Sequence, residues 1–156
     1  MEINVARESQ LLEVLYILRQ CSQQLIDKGV RYWYNPTADS PYIAADIKNG
    51  YVYICSLNRV SIGTITIKTN LSEPTISEIE RLAIYPHYQG KGYAKSMIDF
   101  AINHSKANGF KIIRGTIPVD DKSLCKLLEE RGFTNLGIAL NVPNEMVKIV
   151  FEKILM

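Results

Sequence analysis

Charge of one sign is scarce in this chain: 18 Lys and Arg stand against 16 Asp and Glu, a formal net charge of +2. No field of that size concentrates nucleic acid or an anionic membrane, so any partner must be selected by a site. No apolar run approaches the ~20 residues that span a bilayer. The opening Met1-Glu2-Ile3-Asn4-Val5-Ala6-Arg7 lacks the apolar stretch of a secretory leader. Histidine occurs only at His87 and His104, far apart and without metal-ligand spacing, so no metal is assigned. The three cysteines, Cys21, Cys55 and Cys125, stand alone in apolar stretches rather than in close pairs. They read as small core hydrophobes in a reduced, cytoplasmic protein. Repeats, low-complexity tracts and charge blocks are also missing.

What is present is the balance of one compact domain spanning residues 1–156, with 47% hydrophobic and 22% charged residues. A strand is expected over Glu2 to Arg7. Glu8 to Lys28 then carries Leu11, Leu12, Leu15, Leu18, Cys21, Leu25 and Ile26 as a helical stripe that Gly29 stops. Residues 30 to 42 mix turn residues with four aromatics and suit a loop laid over a pocket. Ser40-Pro41 opens a short helix through Lys48, and Asn49-Gly50 ends it. Tyr51 to Leu57 and Ser61 to Thr69 alternate apolar and polar residues around Asn58-Arg59, the pattern of an antiparallel hairpin, and Thr75 to Ile84 continues it. Gly92 to Asn108 returns to helical spacing, Lys111 to Val119 is a strand, and Asp120 or Asp121 caps a helix through Arg131. Strands at Phe133 to Leu140 and Val147 to Leu155 close the order β-α-α-β-β-β-α-β-α-β-β, a mixed α/β architecture.

The chemistry concentrates between Ile79 and Ala94. An apolar strand ends at Ile84, Pro86 blocks further pairing, and Gln89-Gly90-Lys91-Gly92-Tyr93-Ala94 enters a helix. Glycines let a backbone approach a ligand and turn successive N–H groups into one concavity, while a helix N-terminus adds positive dipole. That combination suits a pyrophosphate. A P-loop is excluded because Gly92 is followed by Tyr93-Ala94 rather than Lys and a hydroxyl residue. A dinucleotide fingerprint is excluded because Lys95 occupies the place of its third small residue, on a late element.

Leu82-Ala83-Ile84-x-Pro86-x-x-Gln89-Gly90-x-Gly92-x-Ala94 resembles the acetyl-CoA-binding motif of the GNAT superfamily of N-acyltransferases. Leu127-Leu128-Glu129-Glu130-Arg131-Gly132-Phe133 is similar to the family's later helix-to-strand signature. The resemblance implies a GNAT-like fold, with a largely antiparallel central sheet flanked by helices. It implies acetyl transfer from acetyl-CoA directly to a primary amine, on a small molecule or a peptide. Main-chain groups of Leu82, Ala83 and Ile84 would then pair with the pantetheine arm, and Gln89, Gly90, Lys91, Gly92, Tyr93 and Ala94 would hold the pyrophosphate. Lys91 or Lys95 would add charge at the rim.

An amine must lose a proton before it attacks, since alkylammonium pKa values lie near ~10. Glu80, just upstream of the carbonyl-binding arm, is the candidate base, with Glu78 second on the same strand parity. The family commonly bulges this strand, so parity is not carried across residues 79 to 84. Trp33, Tyr34 and Tyr42 lie where the family forms its acceptor pocket and are candidates to enclose the amine. One departure stands out: many members carry a tyrosine acid four residues before the signature glycine, and this chain has Leu128. That keeps open a second class, an acyl-CoA-binding sensor without turnover. Asp121, near where many members place a pantetheine-contacting asparagine, reads first as a helix cap. The terminal strands are the surface expected of any homodimer.

Overall fold

The computed structural model describes residues 1–29, 39–139 and 147–155. Along the chain run β1 (Glu2–Val5), α1 (Leu11–Asp27), α2 (Ser40–Lys48), β2 (Val52–Leu57), β3 (Val60–Thr69), β4 (Ile76–Ile84), α3 (Tyr93–Ala107), β5 (Ile112–Pro118), α4 (Lys122–Glu130), β6 (Thr134–Ile138) and β7 (Lys148–Ile154). Single 3₁₀ turns occupy Glu8–Gln10 and Pro86–Tyr88. The order agrees with the one read from the residues, with ends shifted by at most three positions.

The strands form one sheet in the order β1-β2-β3-β4-β5-β7-β6. Every pairing is antiparallel except β4 with β5. That exception follows from connectivity: α3 carries the chain back across the sheet, and such a crossover delivers the next strand parallel. The β2–β3 hairpin turns on Asn58 and Arg59, both at positive φ (49° and 68°), as a two-residue turn that matches strand twist requires.

Strand alternation sorts the apolar residues into two cores. Val52 and Ile54 of β2 join Val14, Ile17 and Leu18 of α1, Ile43 and Ile47 of α2, and Ala83. On the other face Cys55, Ile65, Ile67, Ile79 and Ile113 meet Met97, Ile98 and Ala101 of α3 and Leu128 of α4. Each fully buried Ile or Leu contributes roughly 1.5–3 kcal/mol, so these two layers supply most of the force that fixes the sheet between its helices.

The α1 stripe agrees with the expected one in part. Leu18 is buried and Leu11, Leu15 and Cys21 pack against the same core, which also takes Val14, Ile17 and Ser22, while Leu12 is 78% and Ile26 52% exposed. Leucines at 11, 12, 15 and 18 fit two adjacent lines on a helix equally well. The cysteine reading holds fully only for Cys55, which is buried; Cys21 and Cys125 are half-buried.

Candidate active site

The parallel ladder between β4 and β5 runs from Ile76 opposite Ile112 to Ile79 opposite Gly115 and goes no further. Glu80 to Ile84 on one arm and Thr116 to Pro118 on the other therefore splay into a fork. Gly115 sits at its apex because a Cβ there would stand 3.1 Å from Ile79 Cγ1. The fork originates in β4. Thr64 opposes Ala83 and Thr66 opposes Glu80, so two steps on β3 match three on β4. This is a β-bulge, and it falls at Arg81, whose φ is +52°. An arginine in that conformation costs about 1–2 kcal/mol that the surroundings must offset.

Beyond the bulge the alternation resumes. The Tyr85 N–H donates to the Ile62 carbonyl at 2.7 Å, so the main-chain groups of Ile84 turn away from β3 toward the fork. The Ile84 carbonyl accepts from the Cys21 thiol at 3.0 Å and from Gln89 Nε2 at 2.9 Å. Helix α1 thus reaches the mouth of the fork. Burial pushes the Cys21 thiol up to about 12, the Ile84 hydrogen bond opposing only part of that rise. Alkylation of Cys21 in the folded protein at pH 8 is expected to run about 100-fold slower than that of an unperturbed thiol, loss of thiolate outweighing its higher nucleophilicity. Iodoacetamide labelling with peptide mass mapping measures it, and labelling at the free-thiol rate would remove Cys21 from this position.

The glycine loop follows directly. Gly90 and Gly92 have φ of +77° and +88°, and a Cβ added at either meets no atom within 4 Å. Conformation, not crowding, calls for glycine here, and the concavity is open. Gly92 is the N-cap of α3 and offers no side-chain cap, so the first-turn N–H groups are left for another acceptor. Lys91 is exposed, its ammonium 5.8 Å from the centre of the Tyr88 ring. Tyr93 and Ala94 are half-buried against the α3-side core. Gln89 braces the loop: its side-chain amide also donates to Gln24 Oε1 at 2.9 Å, and its N–H donates to the Pro86 carbonyl at 3.2 Å.

The register places Glu78 and Glu80 on one face of β4, opposite Lys68 and Thr66. Glu78 is engaged by Asn70, which donates to it, and lies 3.9 Å from Arg114, itself 2.7 Å from Glu152. Glu80 is the first residue past the last β4–β5 pair. Its carboxylate is 38% exposed and lies 3.6 Å from Lys68 Nζ and 3.8 Å from Arg81 Nη1. Both cations lie closer to Asp46 of α2, at 3.1 Å and 2.6 Å. Sequence reasoning missed Asp46. The available signal was its spacing from Ile43 and Ile47, which turns a carboxylate inward on an otherwise apolar helix face.

Tyr42, covered by both the loop expected over residues 30 to 42 and the helix expected from Ser40-Pro41, lies in the first turn of α2 and is 69% exposed. Trp33 and Tyr34 lie outside the described residues. Leu128 is fully buried in the α3-side core. Asp121 caps α4, accepting from the Leu124 N–H at 3.3 Å, and burial raises its carboxyl above the usual range. His104 sits on α3 with a ring nitrogen 3.2 Å from the Tyr53 hydroxyl and its ring stacked on Phe100, a packing role, and burial lowers its pKa. His87 is exposed beside Tyr88.

Comparison with known proteins bears on this geometry. The model of the acetyltransferase (GNAT) family matches residues 14–133. A GNAT-family acetyltransferase structure from Streptococcus agalactiae 2603 superposes with a TM-score of 0.82 at 16% identity, covering 99% of this chain and 95% of that one. The Salmonella typhimurium protein yncA, solved with its cofactor acetyl-CoA, gives 0.81 at 17% identity, covering 100% and 94%. An uncharacterized N-acetyltransferase of Methanocaldococcus jannaschii is 22% identical over 85 residues, 52% of this chain. The match spans 38% of that relative's length. Such identities speak to fold alone; the seven-stranded, mostly antiparallel sheet flanked by helices is the shared architecture.

Proposed function

The chain belongs to the acetyltransferase (GNAT) family, and from that premise we propose that it transfers an acetyl group from acetyl-CoA to a primary amine on a small molecule or peptide. The observation that carries the reading is continuity: the splayed arm Glu80 to Ile84 leads through one 3₁₀ turn into a glycine loop and an uncapped helix N-terminus. A ligand with a thioester at one end of an extended arm and a pyrophosphate at the other fits both. The two positive-φ glycines and the first-turn N–H groups of α3 are suited to the pyrophosphate, with the exposed Lys91 at its rim.

Bound there, acetyl-CoA supplies the acyl group and a thiolate leaving group. Main-chain groups at Leu82 and Ile84 would align the extended arm, those of the intervening Ala83 facing β3, and a fork-facing N–H, that of Ile84, would stabilise charge developing on the carbonyl oxygen. Glu80 would take one proton from the acceptor's ammonium, freeing the nitrogen lone pair that forms the new C–N bond; the C–S bond then breaks to release thiolate, and the second proton shed by that nitrogen passes to solvent. A thiol of pKa near ~8.5 departs as thiolate, so Leu128 in place of a tyrosine acid does not bar turnover. Tyr42, with Trp33 and Tyr34, remains the candidate acceptor contact.

A test combines thiol release over a panel of amines, amino acids and peptides with calorimetric binding of acetyl-CoA and of acetyl-pantetheine, which lacks the pyrophosphate. The expected result is release with one acceptor class, and about 100-fold weaker binding of acetyl-pantetheine from loss of charge-assisted contacts. Equal binding of the two would dismiss the loop as a pyrophosphate site. Binding without release on any acceptor would favour the second reading, a non-catalytic acyl-CoA sensor, which the buried Leu128 supports.

A further inference from the structure

Among the described residues, Asn58, Arg59 and Arg81 are the non-glycine positions at positive φ. The first two make a hairpin turn that demands it. Arg81 lies inside a strand, and arginine has no short polar side chain to satisfy the backbone locally. Something distant must hold it. Its guanidinium lies 2.6 Å from Asp46 Oδ2, and the same oxygen lies 3.1 Å from Lys68 Nζ. Asp46 is itself held fast: its side chain is 9% exposed, and its neighbours Ile43 and Ile47 are buried in the α1–α2 core that also contains Ala83. The anchor on α2 and the strand it restrains therefore share one packed layer.

We propose that Asp46 is a positioning residue whose ion pair with Arg81 locks the β4 bulge and so keeps the fork open for the acyl donor. The link to the acyl donor rests on the function proposed above; the lock itself does not. Loss of the Asp46 contact, at 2.6 Å closer than that to Glu80 at 3.8 Å, lowers the cost of relaxing Arg81 to negative φ. The extra residue of the bulge must then be absorbed elsewhere, and Leu82 to Ile84 lose their fixed direction. A slip would exchange the faces of Ala83 and Ile84, which are buried in opposite cores, so the response is local loosening rather than a new register. Glycine at position 81 adopts positive φ without a tether. It therefore separates holding the backbone from supplying charge.

The experiment compares Asp46→Asn with Asp46→Asn/Arg81→Gly, reading backbone carbon shifts at residues 80–84, amide exchange at 82–84 and acetyl-CoA Kd. Loss of the lock in Asp46→Asn is expected to speed exchange and weaken acetyl-CoA by about 10-fold or more. The added glycine is expected to return both to within about 3-fold of wild type. Wild-type shifts and exchange in Asp46→Asn, or no recovery in the double variant, would overturn the lock. If Asp46→Asn does not fold, Arg81→Gln compared with wild type and Arg81→Gly decides: glutamine, which keeps a Cβ and loses the ion pair, should speed exchange at 82–84 while glycine keeps it slow, and wild-type exchange in Arg81→Gln would sink the proposal. If wild type binds no acetyl-CoA, the proposed function fails while the shifts and exchange still judge the lock.

Discussion

Glu80→Gln is expected to lower kcat for thiol release by about 10²–10⁴-fold, the usual contribution of a positioned base, with acetyl-CoA Kd changed less than about 3-fold. The carboxylate stands one residue past the last β4–β5 pair and is 38% exposed, so it can reach a ligand in the fork. Its two cations do not disable it as a base. They lie 3.6 and 3.8 Å away and are held more closely by Asp46. Ion pairs at such a partly exposed site are worth about 0–1 kcal/mol, too little to tie the carboxylate down away from a ligand. Glu78→Gln is the control. It occupies the same face but is already engaged by Asn70 and Arg114, and its loss should cost turnover far less. Steady-state release measured with a thiol reagent decides; a Glu80→Gln enzyme with more than about half of wild-type kcat would lie outside what loss of a base produces.

Gly92→Val should weaken acetyl-CoA by about 100-fold, as though one or two charge-assisted hydrogen bonds of 1.5–3 kcal/mol each were lost. The argument is conformational. Gly92 has φ of +88°, and no atom lies within 4 Å of an added Cβ, so valine meets backbone strain rather than a clash. A β-branched residue strongly disfavours that region. Relief comes by swinging the peptide, which turns the first N–H groups of α3 out of the concavity. Lys91→Ala, removing one exposed charge, should cost only about 3-fold. Calorimetry with circular dichroism as a folding check measures both. Wild-type affinity in a folded Gly92→Val protein would detach the glycine loop from the ligand.

The proposed Asp46 lock adds a constraint to the same arm. Glu80, the bulge at Arg81 and the fork-facing Ile84 lie within five consecutive residues, so a disturbance at Asp46 is expected to affect donor affinity as well as turnover. Glu80→Gln should affect turnover alone. The two variants are therefore distinguishable by their KM-against-kcat pattern.

The order of elements, the hairpin at Asn58-Arg59, the ends set by Gly29 and Pro86, and the glycine loop were all legible in the residues. Each rests on a local rule: side-chain period, φ restricted by proline, or φ opened by glycine. Which residues of α1 the sheet covers, where β4 bulges and which carboxylate restrains it were decided only by tertiary structure. Adjacent leucine lines on α1 are equivalent until a sheet is laid against one of them. An arginine at positive φ has no local cause, and its partner Asp46 lies 35 positions away. Local periodicity carries the architecture because backbone sterics act over a few residues. The fork and its charges depend on pairing between distant segments, which no short window of sequence contains.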